Sequence, residues 1–397
     1  MQPLRRLSRS RRAVFALVLG LGVLPCLEMR SGAVVLYETG DPSANTTAPG
    51  GMLAGSGWQF EGNFGVFLGT PIAPSFFLTA KHVHTAGSEL NFQGVAYPVT
   101  KKYHDPNSDL TVCQVTGTFP AFAPLYTRSD ETGRQLVVIG RGTQRGSDVF
   151  LSAEHKGWEW GTADTVMRWG RNSVSSVESG GAGLGDLLYA TFDQDGLPNE
   201  AHLSSGDSGG AVFIQDAGTW KLAGISYAVD EVFIAIGMGD YTSLVAAIFD
   251  ARGFYAKNGS TYTLLAGNSP VPTGFYATRI SSNLAWIYSV IDPAGTVAGD
   301  GISNLIKYAT GMDPLVPATS ASLPGREPGY ATITFNKQTI ATDLTYSIEK
   351  TTDLVNWMPA DTVDDALGTN GTVLTIKSKV AVTMEMQLFL RLRVTRP

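Results

Sequence analysis

The sequence predicts an all-β protein with more than one domain, and three observations support this fold class. The chain has 397 residues, which is long for one compact domain. From residue 34 to about residue 255, short apolar runs are separated by Gly, Pro, Asn and Asp, as is typical of strands in a sandwich or barrel. Beyond residue 255 the composition changes to linker-like segments and then to alternating apolar and polar runs.

Residues 1–33 have the pattern of a secretory signal peptide. Arginines within residues 5–12 precede the apolar run 13–24, and the small side chains of Ser31 and Ala33 suit a signal peptidase. We therefore exclude this segment from the fold and expect a secreted protein, extracellular or periplasmic. An uncleaved membrane anchor is the alternative, but the apolar run is shorter than the roughly 20 residues that a spanning helix needs. No later segment is predicted to cross a bilayer.

Charge and cysteine content narrow the classes of partner. The formal net charge is −6 and no dense Lys/Arg run lies outside the N-terminal segment, so nucleic acid is not an expected partner. Loss of the signal peptide would remove Cys26 and leave Cys113, so an internal disulfide is not expected. No zinc-like spacing of His and Cys is present, and we expect neither a metal nor a cofactor.

The elements of residues 34–255 can be predicted in order. Residues 65–70 and 75–79 form two strand candidates around a Pro-containing turn, and four more candidates follow at 135–140, 211–215, 221–227 and 232–236. Residues 241–252 have helical spacing and are followed by Gly253, which predicts a helix that closes this domain.

The strongest local pattern is the pentapeptide at residues 206–210, Gly-Asp-Ser-Gly-Gly. A nucleophilic serine needs a tight turn that exposes its hydroxyl, and glycine permits the required dihedral angles. The backbone N–H groups of Gly206 and Ser208 are the expected donors to a developing oxyanion. Taken alone, such a Gly-rich segment is equally compatible with a surface turn.

Two further residues favour the catalytic interpretation. His82 follows a predicted strand, where a neutral imidazole can accept the proton of Ser208. Asp109 opens the apolar run 109–115, where a carboxylate can orient the imidazole. Asp105 is a rival for this role, but it precedes Pro106 in a predicted turn, and Asp109 is therefore favoured.

At these residues the sequence resembles the chymotrypsin-like serine peptidases. Residues 79–83, 108–112 and 206–210 are similar to the three triad motifs of that family, in the family's order of His, Asp and Ser. Residues 224–228 resemble the strand that lines its substrate cleft, and residues 239–242 resemble its Gly-x-Tyr-Thr segment. The resemblance covers about residues 50–255. It implies two six-stranded β-barrels of chymotrypsin type, with the site in the cleft between them, and a C-terminal helix.

The resemblance also implies a substrate pocket. Its predicted residues are His202, Ser226, Tyr227, Ala228 and Gly239. His202 matches the pocket base, where trypsin-like members carry Asp, which argues against cleavage after Arg or Lys. Uncharged residues are the expected preference, with acidic residues second if His202 is protonated. The family's Ile-Val-Gly-Gly start is missing, so Asp207 needs a partner other than a new N-terminus, and the sequence does not identify it.

The C-terminal part is predicted to be a separate module. Residues 256–325 form a linker with a short helical segment at 302–310, and residues 326–397 a small antiparallel β-sandwich. Residues 299–314 resemble a verrucomicrobial dockerin-like segment with half a calcium loop. Asp300 and Asn304 retain ligand-type side chains, but Lys307 replaces the usual Glu, so a metal-free remnant is favoured. Attachment to a cell surface is one role that this module could have.

Together these patterns predict a secreted serine endopeptidase that acts on proteins or peptides through an acyl-enzyme on Ser208. His82 would be the general acid and base, and Asp109 would orient it. The alternative is an inactive protease-like surface protein that only binds its partner. The complete set of three residues favours the enzyme.

Overall fold

The computed structural model describes residues 34–237, 240–382 and 387–397. The predicted signal peptide lies outside the described residues. Within them the chain is mostly β-structure with few helices, as predicted from the sequence. No helix in this part of the chain is long and apolar enough to cross a membrane.

The first region is a closed six-stranded antiparallel barrel, which follows the short strand β1 (Val35–Leu36). Its strands are β2 (Gly62–Phe64), β3 (Phe67–Ala73), β4 (Phe76–Ala80), β5 (Glu89–Phe92), β6 (Val95–His104) and β7 (Leu110–Val115), in the order β2-β3-β4-β7-β6-β5. Strands β4 and β7 are paired so that Ala80 lies opposite Leu110. The residues just after β4 and just before β7 therefore meet at one end of the barrel.

The second region is a seven-stranded antiparallel sheet. Its strands, in chain order, are β8 (Gln135–Gly140), β11 (Arg168–Ser173), β12 (Ser176–Ser179), β13 (Asp186–Thr191), β15 (Ala211–Asp216), β16 (Thr219–Val229) and β22 (Gly274–Arg279). They are ordered β11-β8-β15-β16-β22-β13-β12. The sheet curls, since Asn172 of β11 donates its side-chain amide to the carbonyl of Thr191 in β13, at 2.7 Å. The predicted closure of this region into a second six-stranded barrel stays a prediction.

Smaller sheets flank the second region. They contain β9 (Thr143–Leu151), β10 (Glu154–Ala163), β14 (Ala201–His202), β17 (Val232–Gly237), β18 (Asp240–Leu244), β19 (Ala246–Ile248), β20 (Tyr255–Asn258) and β21 (Thr261–Leu264). β1 pairs with β14, which attaches the start of the described chain to the second region.

The helix predicted at residues 241–252 is wrong, because the structure has strands β18 and β19 there. Residues 246–249 are all buried, and β19 pairs with β10. A short apolar run that is buried on both faces has no helical polar face, and its periodicity alone cannot separate helix from strand. The helix that follows the second sheet is α1 (Leu284–Ile291), directly after β22. The predicted domain boundary at residue 255 is therefore not where this sheet ends.

An apolar core joins the barrel, the second sheet and α1. Leu68 and Leu110 of the barrel, Phe213 of β15, and Trp286 and Ile287 of α1 belong to one buried cluster. Burial of such side chains contributes about 1.5–3 kcal/mol each, so α1 belongs to the structural core of the two regions that meet at the candidate site.

The C-terminal part contains α2 (Asn304–Thr310), within the predicted helical segment, and two antiparallel sheets. One has β23 (Ser322–Glu327), β24 (Tyr330–Gln338), β27 (Val363–Asn370) and β28 (Val373–Ala381); the other has β25 (Thr345–Thr351), β26 (Met358–Pro359) and β29 (Phe389–Thr395). Ile333, Phe335 and Val380 of the first sheet share a core with Ile348 of the second. The sandwich itself stays a prediction.

The calcium-like segment carries its own cation. The fully buried Lys307 places its ammonium 2.6 Å from the carboxylate of Asp300. This contact holds the pKa of Asp300 low, at about 2. Lys307, which replaces the usual glutamate, thus binds the Asp300 carboxylate that a calcium ion would need as a ligand.

Candidate active site

His82 and Asp109 meet where β4 ends and β7 begins. His82 lies in a single 3₁₀ turn, Lys81–Val83, that directly follows β4, and Asp109 directly precedes β7. The carboxylate of Asp109 accepts the His82 backbone N–H at 3.1 Å and contacts Nδ1 of the imidazole at 2.6 Å. Asp109 is 3% exposed, whereas His82 is exposed, so the carboxylate orients the ring from the protein interior.

Ser208 reaches the other nitrogen of the same ring. It lies in the turn between β14 and β15, in the second region, and its Oγ is 2.8 Å from Nε2 of His82. The three residues predicted from the sequence are therefore joined by hydrogen-bond contacts across the junction of the two regions. A serine hydroxyl, an imidazole and a buried carboxylate in this order can activate the hydroxyl as a nucleophile.

The glycines of the Ser208 turn are required by its geometry. Gly206 has φ +96° and Gly209 has φ +79°, in the left-handed region that favours glycine. A Cβ on Gly209 would lie 2.5 Å from the hydroxyl of Thr79. The N–H groups of Gly206 and Ser208 donate no hydrogen bond to any described residue, which leaves both available to an oxyanion.

Asp207 has partners that the sequence did not reveal. One carboxylate oxygen accepts the N–H of Gly142 at 2.5 Å, and the other accepts the N–H and hydroxyl of Ser204 at 2.7 and 3.0 Å. Gly140 is also needed, because a Cβ there would lie 2.0 Å from Oδ1 of Asp207. These contacts come from within the described chain, so the carboxylate is hydrogen-bonded without a newly formed N-terminus.

Asp105, the rival carboxylate, lies in the turn before Asp109 and makes no contact with His82. It accepts the backbone N–H of Asn107 at 2.9 Å and the hydroxyl of Ser108 at 2.6 Å. Asp105 is 1% exposed, and this burial raises its pKa. Its position gives it a structural role in the turn.

A cavity of about 320 Å³ opens beside Ser208. Three of the predicted pocket residues, Ser226, Tyr227 and Ala228, line it. Trp160 of β10 also lines it, a residue that the sequence did not indicate because β10 is remote from the Ser208 turn along the chain. The carboxylate residues Asp207, Asp230 and Glu231 also line the cavity, and no Lys, Arg or His lines it among the described residues.

The prediction that His202 forms the pocket base is wrong. His202 is fully buried and does not line the cavity. Its Nε2 lies 3.2 Å from the hydroxyl of Thr273, and its ring packs edge-on against Phe192 and Phe275. Burial lowers the pKa of His202, which favours its neutral form. Gly239, the remaining predicted pocket residue, lies outside the described residues.

Comparisons with known proteins give only remote similarity. No protein-family model matches the sequence, and no curated protein matches it. Similar solved structures include an inactive mutant form of Rv3671c from M. tuberculosis H37Rv, at 15% identity over 64% of this chain and 96% of that one, with a TM-score of 0.34. Others are the HtrA-type protease AlgW with a decapeptide, at 13% over 81% and 83% (TM-score 0.33), and kallikrein-related peptidase 10, at 16% over 60% and 98% (TM-score 0.32). At these scores the likeness carries no argument about this chain.

Proposed function

We propose that this chain is a serine endopeptidase. The observation that carries the proposal is the imidazole of His82, which lies 2.6 Å from the Asp109 carboxylate and 2.8 Å from the Ser208 hydroxyl. A Gly-rich turn with two available N–H groups and an adjoining cavity supply the other parts that acyl transfer needs.

In the proposed reaction, Ser208 Oγ attacks the carbonyl carbon of a peptide bond while Nε2 of His82 takes its proton. The negative charge on the carbonyl oxygen is stabilised by the N–H groups of Gly206 and Ser208. Collapse breaks the C–N bond, and His82 returns the proton to the leaving amine. A water molecule, deprotonated by His82, then hydrolyses the acyl-enzyme and regenerates Ser208. Asp109 stabilises the imidazolium in each half.

Labelling with a fluorophosphonate probe separates this proposal from the inactive binding protein. We expect one label per chain, on Ser208, together with cleavage of an unstructured protein substrate. The matched Ser208→Ala variant should take up no label. A wild-type chain that neither reacts with the probe nor cleaves a broad peptide library would favour the binding protein.

The cavity favours uncharged side chains at the cleaved residue. Leu203, Ala228 and Val229 contribute apolar walls. The second choice of acidic residues loses its support, because it depended on His202 and the cavity carries carboxylates instead. Arg and Lys stay the less favoured choice, since Asp207 is buried and three donors already bind Asp230: the hydroxyls of Tyr189 and Tyr276 and the N–H of Gly274. A preference for Arg would mean that the exposed Glu231 reaches the bound side chain.

We also propose that the protein is secreted and that the mature chain starts near Val34. Val34, Val35 and Leu36 are at most 4% exposed, and β1 pairs with β14, so cleavage after Leu36 would remove core side chains. N-terminal sequencing of exported protein tests this proposal, and a start within residues 1–30 would contradict it. Attachment to a cell surface through the C-terminal module is a further proposal.

A further inference from the structure

We propose that Lys81 is a positioning residue for Asp109, because its ammonium fastens the turn that presents this carboxylate to His82. The inference rests on the proposed peptidase function and adds to it a residue that does not touch the reacting atoms.

Lys81 donates three hydrogen bonds to the Asp109 turn. Its Nζ donates to the carbonyl of Asp105 at 2.7 Å and to the carbonyl of Ser108. Its backbone N–H donates to the carbonyl of Asp109 at 2.7 Å. A single residue therefore contacts three carbonyl groups within residues 105–109.

Asp105 binds the hydrogen-bond donors of the same turn. Its carboxylate takes the N–H of Asn107 and the hydroxyl of Ser108, and its own N–H donates to the carbonyl of Leu110 at 3.0 Å. An ionised carboxylate has no proton to donate, so the carbonyls of Asp105 and Ser108 need a hydrogen-bond donor from another residue. Asp105 and Ser108 are at most 1% exposed, which leaves water a poor substitute for Lys81.

The position of this donor matters for catalysis because Lys81 is bonded directly to His82. The same short segment thus carries the imidazole and holds the turn that carries its carboxylate. Both oxygens of Asp109 contact His82, at 3.1 Å to the backbone nitrogen and 2.6 Å to Nδ1. Movement of Ser108 would shift Asp109 and disturb both contacts at once.

The chain offers a matched control in Lys102. This lysine is also half-buried, and its Nζ also donates to two backbone carbonyls, those of His84 and Gly87. These carbonyls belong to the loop after His82 and are not part of the Asp109 turn. Lys102→Met therefore removes an equivalent pair of hydrogen bonds nearby.

The test measures kcat and KM on one peptide substrate for wild type, Lys81→Met, Lys81→Arg and Lys102→Met, each checked by thermal melting. We expect Lys81→Met to lower kcat by about 10- to 100-fold, as misplacement of a catalytic group does. KM should stay within about threefold, since the cavity is untouched. Lys81→Arg, which keeps a cation and several donors, should recover most of the loss, and Lys102→Met should keep kcat within about threefold of wild type.

Two outcomes would overturn the proposal. One is a Lys81→Met chain with wild-type kcat; the other is an equal loss of kcat in Lys81→Met and Lys102→Met that follows their melting temperatures. If Lys81→Met does not fold at the assay temperature, the graded loss expected in Lys81→Gln replaces it, and wild-type kcat in that variant counts against the proposal. A wild-type chain without Ser208-dependent cleavage would instead contradict the peptidase function.

Discussion

The two turns that meet at the candidate site are bound by different charged side chains, the Asp109 turn by Lys81 and Asp105 and the Ser208 turn by Asp207. The Asp109 turn presents inward carbonyls, and the ammonium of Lys81 donates to them. In the Ser208 turn, the carboxylate of Asp207 accepts the N–H of Ser204 from the same turn and the N–H of Gly142, which follows β8. In each turn an ionisable side chain fixes the backbone by hydrogen bonds to its polar groups.

The difference follows from what each turn must leave available. The Ser208 turn leaves the N–H groups of Gly206 and Ser208 unpaired among the described residues. The N–H of Ser204 is bound by the Asp207 carboxylate, and those of Gly209 and Gly210 are bound by backbone carbonyls. The Asp109 turn needs only to aim a side chain, so its backbone can be bound through its carbonyls. Burial raises the pKa of Asp207 to about 7 despite its hydrogen bonds.

Removal of the nucleophile should have the largest effect. Ser208→Ala is expected to lower kcat by about 10⁶-fold, because no other group at the site can form the acyl-enzyme. The melting temperature should stay near that of wild type, since the Ser208 turn is fixed by its glycines and Asp207. Turnover close to that of wild type would show that Ser208 is not the nucleophile.

The second prediction separates the two carboxylates of the first turn. Asp109→Asn should lower kcat by about 10⁴-fold, because an amide cannot stabilise the imidazolium. Asp105→Asn should lower kcat far less and instead lower the free energy of unfolding by about 1–3 kcal/mol, the cost of leaving a buried polar group unpaired. Steady-state kinetics and urea unfolding of both variants measure this contrast. The reverse ranking in kcat would assign the catalytic carboxylate to Asp105.

The third prediction concerns pH and the second turn. The pKa of Asp207 rises from its ordinary value of 3.8 to about 7, so the folded chain keeps a proton that the unfolded chain releases. The stability that this group contributes is thus present below about pH 4 and is lost as the pH rises through about 7. Asp207→Asn cannot titrate, and we expect its melting temperature to be lower but to fall less steeply over that window.

Glu61 provides the control for that experiment. Burial raises its pKa to about 8, and it accepts a hydrogen bond from Thr70 of β3, which belongs to neither turn. Glu61→Gln should also flatten the dependence of melting temperature on pH, but without a change in kcat. An unchanged slope in Asp207→Asn, next to a flattened one in Glu61→Gln, would show that Asp207 is already ionised at low pH.

The smallest expected effect is on substrate choice. Peptides with Glu at the cleaved residue should have a kcat/KM about 10-fold below those with Leu, since the exposed Glu231 lines the cavity and no Lys, Arg or His does among its described residues. Glu231→Gln should narrow the gap. Measurement at pH 6 and pH 8 also tests His202, because a preference for Glu that grows at low pH would return this histidine to the pocket.

The sequence by itself was sufficient to identify the candidate catalytic residues whose position depends on local backbone conformation. The nucleophile turn needs positive φ angles at Gly206 and Gly209, and glycine adopts them whatever its distant neighbours are. The five-residue sequence 206–210 is therefore enough to predict this turn. The chain order of His82, Asp109 and Ser208 and their positions beside predicted strands were the further evidence for a catalytic triad. The structure brings these residues within hydrogen-bond distance, and their catalytic roles stay a prediction.

Only the tertiary structure decided the groups that hold this site. Asp207 meets Gly142, 65 residues away, and Lys81 reaches Ser108 across 27 residues. Residues 246–248 form a strand because β10 pairs with them, and His202 lies in the core, where its ring packs against two aromatic rings. These contacts depend on which distant segments pack together. The free energy of burial and strand pairing comes from those segments, so it cannot be inferred from the local sequence.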